Sequence, residues 1–179
     1  MANDDGTHST TIPSLESAKR VWSQCCIDLQ VKPAVTVKHT QYQILDESPN
    51  DTPTAEETAL FHDAGASGGC ISLFVANTFH QGATTSKDVS GGGGTYDGGG
   101  AEPKVVVVEG VDPTIVAHEL GHAMGKLPHG PAGTIMNVTA STHSQAEHEV
   151  VNKHICDACY AFAGATTAPH AANTCEIPA

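Results

Sequence analysis

His118-Glu119-Leu120-Gly121-His122-Ala123-Met124-Gly125, continued by Lys126-Leu127-Pro128-His129, is the stretch from which the rest of the chain is read. Its first five residues have the form HExxH. On a helix, side chains four residues apart are only about 40° out of line, so both imidazoles reach one ion. Glu119 is turned about 100° from His118, which leaves its carboxylate beside that ion rather than on it. Neutral imidazoles suit Zn²⁺, and a catalytic site keeps one coordination position open. Taken alone, HExxH also describes an ordinary exposed His/Glu helix face. Three neighbouring features argue for the metal. Asp112-Pro113 is a helix start, with Asp as N-cap and Pro at the first helical position. Gly125 stands where a glycine can take the left-handed turn that stops a helix. Beyond it come a third histidine, His129, and then Ile135-Met136-Asn137.

HELGHAMGKLPH followed by Met136 resembles the metzincin clan of zinc peptidases, whose pattern is HExxHxxGxxH and then a Met-turn. His118, Glu119, His122, Gly125 and Met136 match in type and order. The spacing departs once: the clan pattern would place the third ligand at Pro128, and here the histidine comes one residue later, at His129. One more residue adds up to ~3.5 Å of reach. Pro128 also biases Leu127 towards an extended conformation, which suits a chain swinging back across a helix. The similarity spans about residues 14 to 162 and is specific only from 118 to 136.

The resemblance implies an α+β fold, with a twisted mixed sheet packed on a long N-terminal helix and the active-site helix. A small C-terminal subdomain would hold the Met-turn and a final helix. It implies one catalytic Zn²⁺ on His118, His122 and His129, with Glu119 as general base for a zinc-activated water. Gly125 and Met136 take supporting places, Met136 as an apolar floor beneath the histidines. The implied reaction is peptide-bond hydrolysis, endo-acting, because an edge strand grips an extended peptide or protein substrate along its length. Thr95-Tyr96, between Gly91–Gly94 and Gly98–Gly100, is the candidate for that strand. Many members of the clan carry a tyrosine just after the Met, where this chain has Asn137 and Val138.

Other readings stand beside this one. A gluzincin-like site would take its third ligand from the next helix, at Glu147 or Glu149, but would leave Gly125 and Met136 without a role. A non-catalytic zinc-binding or interaction module on the same fold would not need Glu119. Cys156-Asp157-Ala158-Cys159 has the CxxC spacing of redox and zinc-ribbon sites, without a second CxxC or a βαβ context.

Composition narrows the classes. The 179 residues suit one domain with a real core. The expected divisions are a flexible lead-in at 1–13, an N-terminal subdomain at 14–129, a C-terminal subdomain at 130–163 and an extended tail at 164–179. Eight basic against 20 acidic residues give −12, a surface that repels nucleic acid and anionic membranes. No apolar run is long enough for membrane insertion, and a monomer is expected. Six cysteines (Cys25, Cys26, Cys70, Cys156, Cys159 and Cys175) lean towards disulfides and an extracellular setting. The polar start lacks a secretory h-region, so a secreted, mature form is expected, with a cytoplasmic protein as the alternative.

Along the chain, Ser14 is read as the cap of a helix carrying Leu15, Ala18, Val21, Trp22 and Cys25. Strands are read at Ile27–Val31 and Ala34–Val37, and a loop at Asp46–Pro53. Thr54-Ala55-Glu56-Glu57 is a capping box opening a short helix. Cys70–Ala76 and Val105–Val108 read as buried strands, the latter central, with a glycine-rich segment from Gln81 to Glu102 between them. A second capping box, Thr142–Gln145, would open a helix bearing Val150, Val151, Ile155 and Cys159. His39, His62, His80, His143, His148, His154 and His170 read as surface or capping residues.

Overall fold

The structure is a computed structural model, and it describes residues 13–32, 44–47, 52–64, 70–76, 78–81, 88–89, 93–96, 102–130, 132–137 and 149–162. The architecture is mixed α+β. Its elements are α1 (Glu16–Ser23), β1 (Ile44–Glu47), α2 (Ala55–Ala64), β2 (Ser72–Ala76), β3 (Thr78–Gln81), β4 (Asp88–Val89), β5 (Gly93–Tyr96), β6 (Lys104–Val108), α3 (Pro113–Gly125) and α4 (Lys153–Phe162). The expected strand at Ala34–Val37, the Thr142–Gln145 box, Glu147, Cys175, the lead-in to residue 12 and the tail from 164 lie outside the described residues.

Among the described residues the strands form two sheets rather than the single one expected. In the first, β2 runs parallel to β6 and β5 antiparallel to it, in the order β2-β6-β5. The second has the order β1-β3-β4, with β1 parallel to β3. The chain changes partners between β2 and β3. β1, β3 and β4 fall where the sequence reads as loop chemistry or is left unread, because such short strands carry too few residues to show a period.

β6 is the centre of the first sheet. Its alternation sends Val105 and Val107 to one face and Val106 and Val108 to the other, and all four are buried. The first pair joins Ala18, Val21, Trp22, Ala117, Leu120, Met136 and Ile155 in the larger core. The second joins Leu45, Leu60, Phe61 and Tyr96 in a smaller core beneath α2. Each buried valine is worth about 1.5–3 kcal/mol of transfer free energy, which is why a strand covered on both faces reads as an unbroken apolar run.

α1 buries the expected face: Ala18, Val21, Trp22 and Cys25 are fully enclosed. It is short, however, at eight residues. Leu15 occupies the N-cap position without a side-chain bond, and Ser14 Oγ accepts from the Glu16 N–H at 3.4 Å. The helix ends because Cys26 turns left-handed (φ 58°) and the Ile27 N–H closes back on the Trp22 carbonyl at 3.1 Å. Past that turn, Ile27–Val31 is not a strand. Ile27 and Leu29 still rest against the core, so the alternation reports burial, but no strand pairs with them there.

α2 opens on the predicted capping box: Thr54 Oγ1 accepts from the Glu57 N–H at 3.2 Å and Glu57 Oε2 accepts from the Thr54 N–H at 2.8 Å. α4 begins later than the sequence reading places it, at Lys153, because Asn152 Oδ1 accepts from the Ile155 N–H (3.0 Å) and supplies the cap. Val150 and Val151 precede that helix, and Val151 still enters the core. Cys25, just past α1, is joined to Cys156 of α4 by a disulfide spanning 131 residues of sequence, both ends fully buried. Cys26 is also disulfide-bonded. Among the described residues no helix is long and apolar enough to cross a membrane.

Candidate metal centre

α3 is built as its sequence requires. Asp112 Oδ1 accepts from the Thr114 N–H at 2.8 Å and from the Thr114 hydroxyl at 2.7 Å, with Pro113 in the first turn. From there the helix runs unbroken through Gly125, and the left-handed residue that ends it is Lys126 (φ 49°, ψ 34°), not the glycine expected in that place. Gly125 is required for space instead. A Cβ there would stand 3.0 Å from Leu127 Cγ and 3.3 Å from both Ala158 Cβ and Cys159 Sγ, so α4 could not lie this close.

The left-handed Lys126 folds Leu127 back into the core and carries the chain round to His129. The Gly130 N–H then donates to the Met136 carbonyl (2.6 Å), and a turn closes from the Asn137 N–H to the Thr134 carbonyl (3.0 Å). The potential ligand atoms of His118, His122 and His129 lie within 4.8 Å of one another, and among the described residues this is the His/Cys/Asp/Glu group able to hold a metal ion. His118 is buried, His122 half-buried and His129 exposed, so the cluster opens to solvent on the His129 side.

Tautomers are set by main-chain carbonyls. His118 Nδ1 donates to Ile135 O at 2.7 Å, and His122 Nδ1 donates to Leu127 O. Both neutral rings then present a bare Nε2, and these two nitrogens face each other at 3.0 Å. Two lone pairs at that distance repel unless a positive charge lies between them. The spacing is close to the ~3.4 Å expected for two nitrogens about 2.1 Å from one tetrahedral ion. The donor set therefore fits a metal: three imidazoles, two of them aimed by carbonyl acceptors, with an open side.

Glu119 is 6% exposed and lies outside the ligand group. The Thr95 hydroxyl of β5 reaches its Oε2 at 2.8 Å. β5, which carries Thr95 and Tyr96, is an edge of its sheet among the described residues. The two residues face opposite ways. Thr95 meets α3, whereas Tyr96 is buried in the smaller core, where its hydroxyl donates to Glu57 Oε1. The Tyr96 ring therefore lies in the smaller core, away from the histidines.

Met136 is 1% exposed and lies under α3, where a Cβ on Gly121 would collide with its Sδ and approach the Trp22 ring to 3.1 Å. Trp22 in turn donates its indole N–H to the Ala117 carbonyl at 3.2 Å. Gly121 is a site residue that sequence reasoning passed over; its signal was a glycine in a helix interior, a costly choice without a packing reason.

Among the described residues, the competing ligands Glu149 and Cys156 are engaged elsewhere. Glu149 accepts from Arg20 and from Ser17 Oγ (2.8 Å), and the Arg20 hydrogen bond holds its carboxyl below the usual carboxylate range. In the CxxC segment Cys156 is already bridged, and burial pushes the Cys159 thiol up to about 12, so it supplies no thiolate at neutral pH. Compared with protein-family models, with curated proteins and with solved structures, the chain has no match.

Proposed function

We propose that this chain is a zinc-dependent endopeptidase of metzincin type, with His118, His122 and His129 as ligands and Glu119 as general base. One observation supports the reading above the rest: three converging imidazoles adjoin a buried carboxylate that is not a ligand. A purely structural metal site has no use for such a group. Zinc held by His118, His122 and His129 would supply the Lewis acidity that this hydrolysis needs. The steps that belong to the chain are proton transfers at Glu119. Its carboxylate takes the proton of the attacking water and returns it to the departing amine. Low exposure keeps bulk solvent from competing for that proton. The edge that β5 forms among the described residues would offer backbone N–H and C=O groups to an extended peptide, which favours cleavage within a chain over trimming at its ends. The buried disulfide agrees with work outside a reducing compartment.

The test is a metal analysis paired with digestion of a peptide library. Glu119→Gln should keep one zinc per chain and lose activity by about 10³-fold or more. Unchanged cleavage in that variant would remove Glu119 from the mechanism. A zinc-loaded wild type that cleaves nothing would leave a non-catalytic metal-binding module.

A further inference from the structure

The hydroxyl of Thr95 is placed to do more than line an edge strand. It lies 2.8 Å from Glu119 Oε2 and 2.9 Å from the main-chain carbonyl of the same residue. Both oxygens accept and the hydroxyl has a single proton, so that proton is shared between the Glu119 carboxylate and the carbonyl of the same residue. A glutamate turns about three side-chain bonds. A donor fixed against its carbonyl confines the carboxylate to a narrow arc beside the histidines.

The donor is itself well held. β5 pairs with β6 through Thr95↔Val105 and Tyr96↔Lys104, and Val105 is fully buried. On the opposite face the Tyr96 hydroxyl is anchored on Glu57. Glu57 is fully buried and committed to the capping box of α2. The strand is therefore secured from both sides, and a shift of one residue in its pairing would turn Thr95 away from α3.

We propose that Thr95 is a positioning residue: its hydroxyl sets the direction of the Glu119 carboxylate, with the Tyr96–Glu57 bond holding β5 in the register that makes this possible. The kinetic consequence rests on the peptidase reading; the contact does not. Because β5 is also the strand proposed to grip the substrate, one element would orient both the peptide and the group that moves its protons.

Two measurements test this. Thr95→Val keeps size and β-branching and removes the hydroxyl, Thr95→Ser keeps the hydroxyl, and Tyr96→Phe loosens the anchor from the far side. In metal-free protein with ¹³C at the glutamate carboxylates, the Glu119 signal is identified by its loss in Glu119→Gln. It should move in Thr95→Val, stay near wild type in Thr95→Ser, and move less in Tyr96→Phe. A stationary signal in both Thr95→Val and Tyr96→Phe overturns the proposal. In the zinc-loaded enzyme, Thr95→Val should lose about 10- to 100-fold in kcat with KM within about twofold, and Thr95→Ser should stay within about threefold of wild type. Equal losses in Val and Ser variants, or a change in KM alone, overturn it in favour of a packing or substrate contact. A carboxylate signal that behaves as described in a wild type without hydrolytic activity supports the positioning contact and defeats the peptidase reading.

Discussion

A glycine inside a helix costs about 1 kcal/mol relative to alanine, so Gly121 must be compensated by what its missing side chain admits. What it admits is Met136 on one side and the Trp22 ring on the other. Met136 in turn follows Ile135, whose carbonyl aims His118, so the packing beneath the helix and the tautomer above it are set by adjacent residues. His129 is exposed and arrives on a loop, yet its ring lies 5.3 Å from that of His118 and 5.0 Å from that of His122. Its extra residue of spacing is absorbed at the left-handed Lys126. His129→Ala should therefore bind zinc at least about tenfold more weakly, measured by competition with a chromophoric chelator, while Glu149→Ala binds normally. The reverse result would move the site to the gluzincin arrangement. At this scale much was legible, since ligands four apart on a helix and a glutamate beside them are local facts. Thr95 and Glu119 lie 24 residues apart and Glu57 and Tyr96 lie 39 apart, and no local pattern encodes such contacts. The role of Gly125 was misread for a related reason: a glycine at a helix end suggests a turn, and its true constraint comes from α4, which meets it only in the folded chain.

Among elements, α2, α3 and the strands β2 and β6 stand where the sequence places them, whereas the cap of α1 and the short strands β1, β3 and β4 do not follow from it. α2 and α3 carry Thr54 and Asp112 as side-chain caps and start where the sequence says. The apparent strand after α1 has the right alternation but pairs with no strand among the described residues. α1 is fastened at its outer edge, where Arg20 donates to Glu149, Ser17 Oγ does likewise, and Gln24 Nε2 donates to the Glu149 carbonyl at 2.5 Å. The Arg20 hydrogen bond lowers the Glu149 carboxyl below its ordinary 4.5, against the opposing effect of burial. A carboxylate whose folded pKa is depressed contributes stability in full above its unfolded pKa and loses it as pH falls through the folded one. In metal-free protein, the urea midpoint of wild type should hence fall more steeply below about pH 4.5 than that of Glu149→Gln. Parallel curves would mean that the pair contributes nothing to stability, as half-exposed ion pairs often do.

Taken whole, the molecule is layered about β6, with α1, α3 and α4 over one face and α2 over the other. The valine run and the single-domain length made that layering legible; the division into two sheets was not, because it depends on which strand each short segment meets. Cys25–Cys156 closes the larger core by tying the turn after α1 to α4, with α3 packed against both helices. Its loop of 131 residues makes the chain-entropy contribution large, on the order of 5 kcal/mol, and measured losses for native disulfides are typically 2–5 kcal/mol. Replacing both Cys25 and Cys156 by alanine should lower the midpoint of chemical unfolding by that order while leaving the histidine spacing on α3 unchanged. A variant as stable as wild type would show that packing alone holds α4 in place. The same cross-link governs what proteolytic nicking would look like. Any single cut between Cys25 and Cys156, the glycine-rich stretch before β6 included, leaves both fragments covalently joined. A nicked molecule would migrate as one band until reductant is added, and gels run without it would count damaged chains as whole.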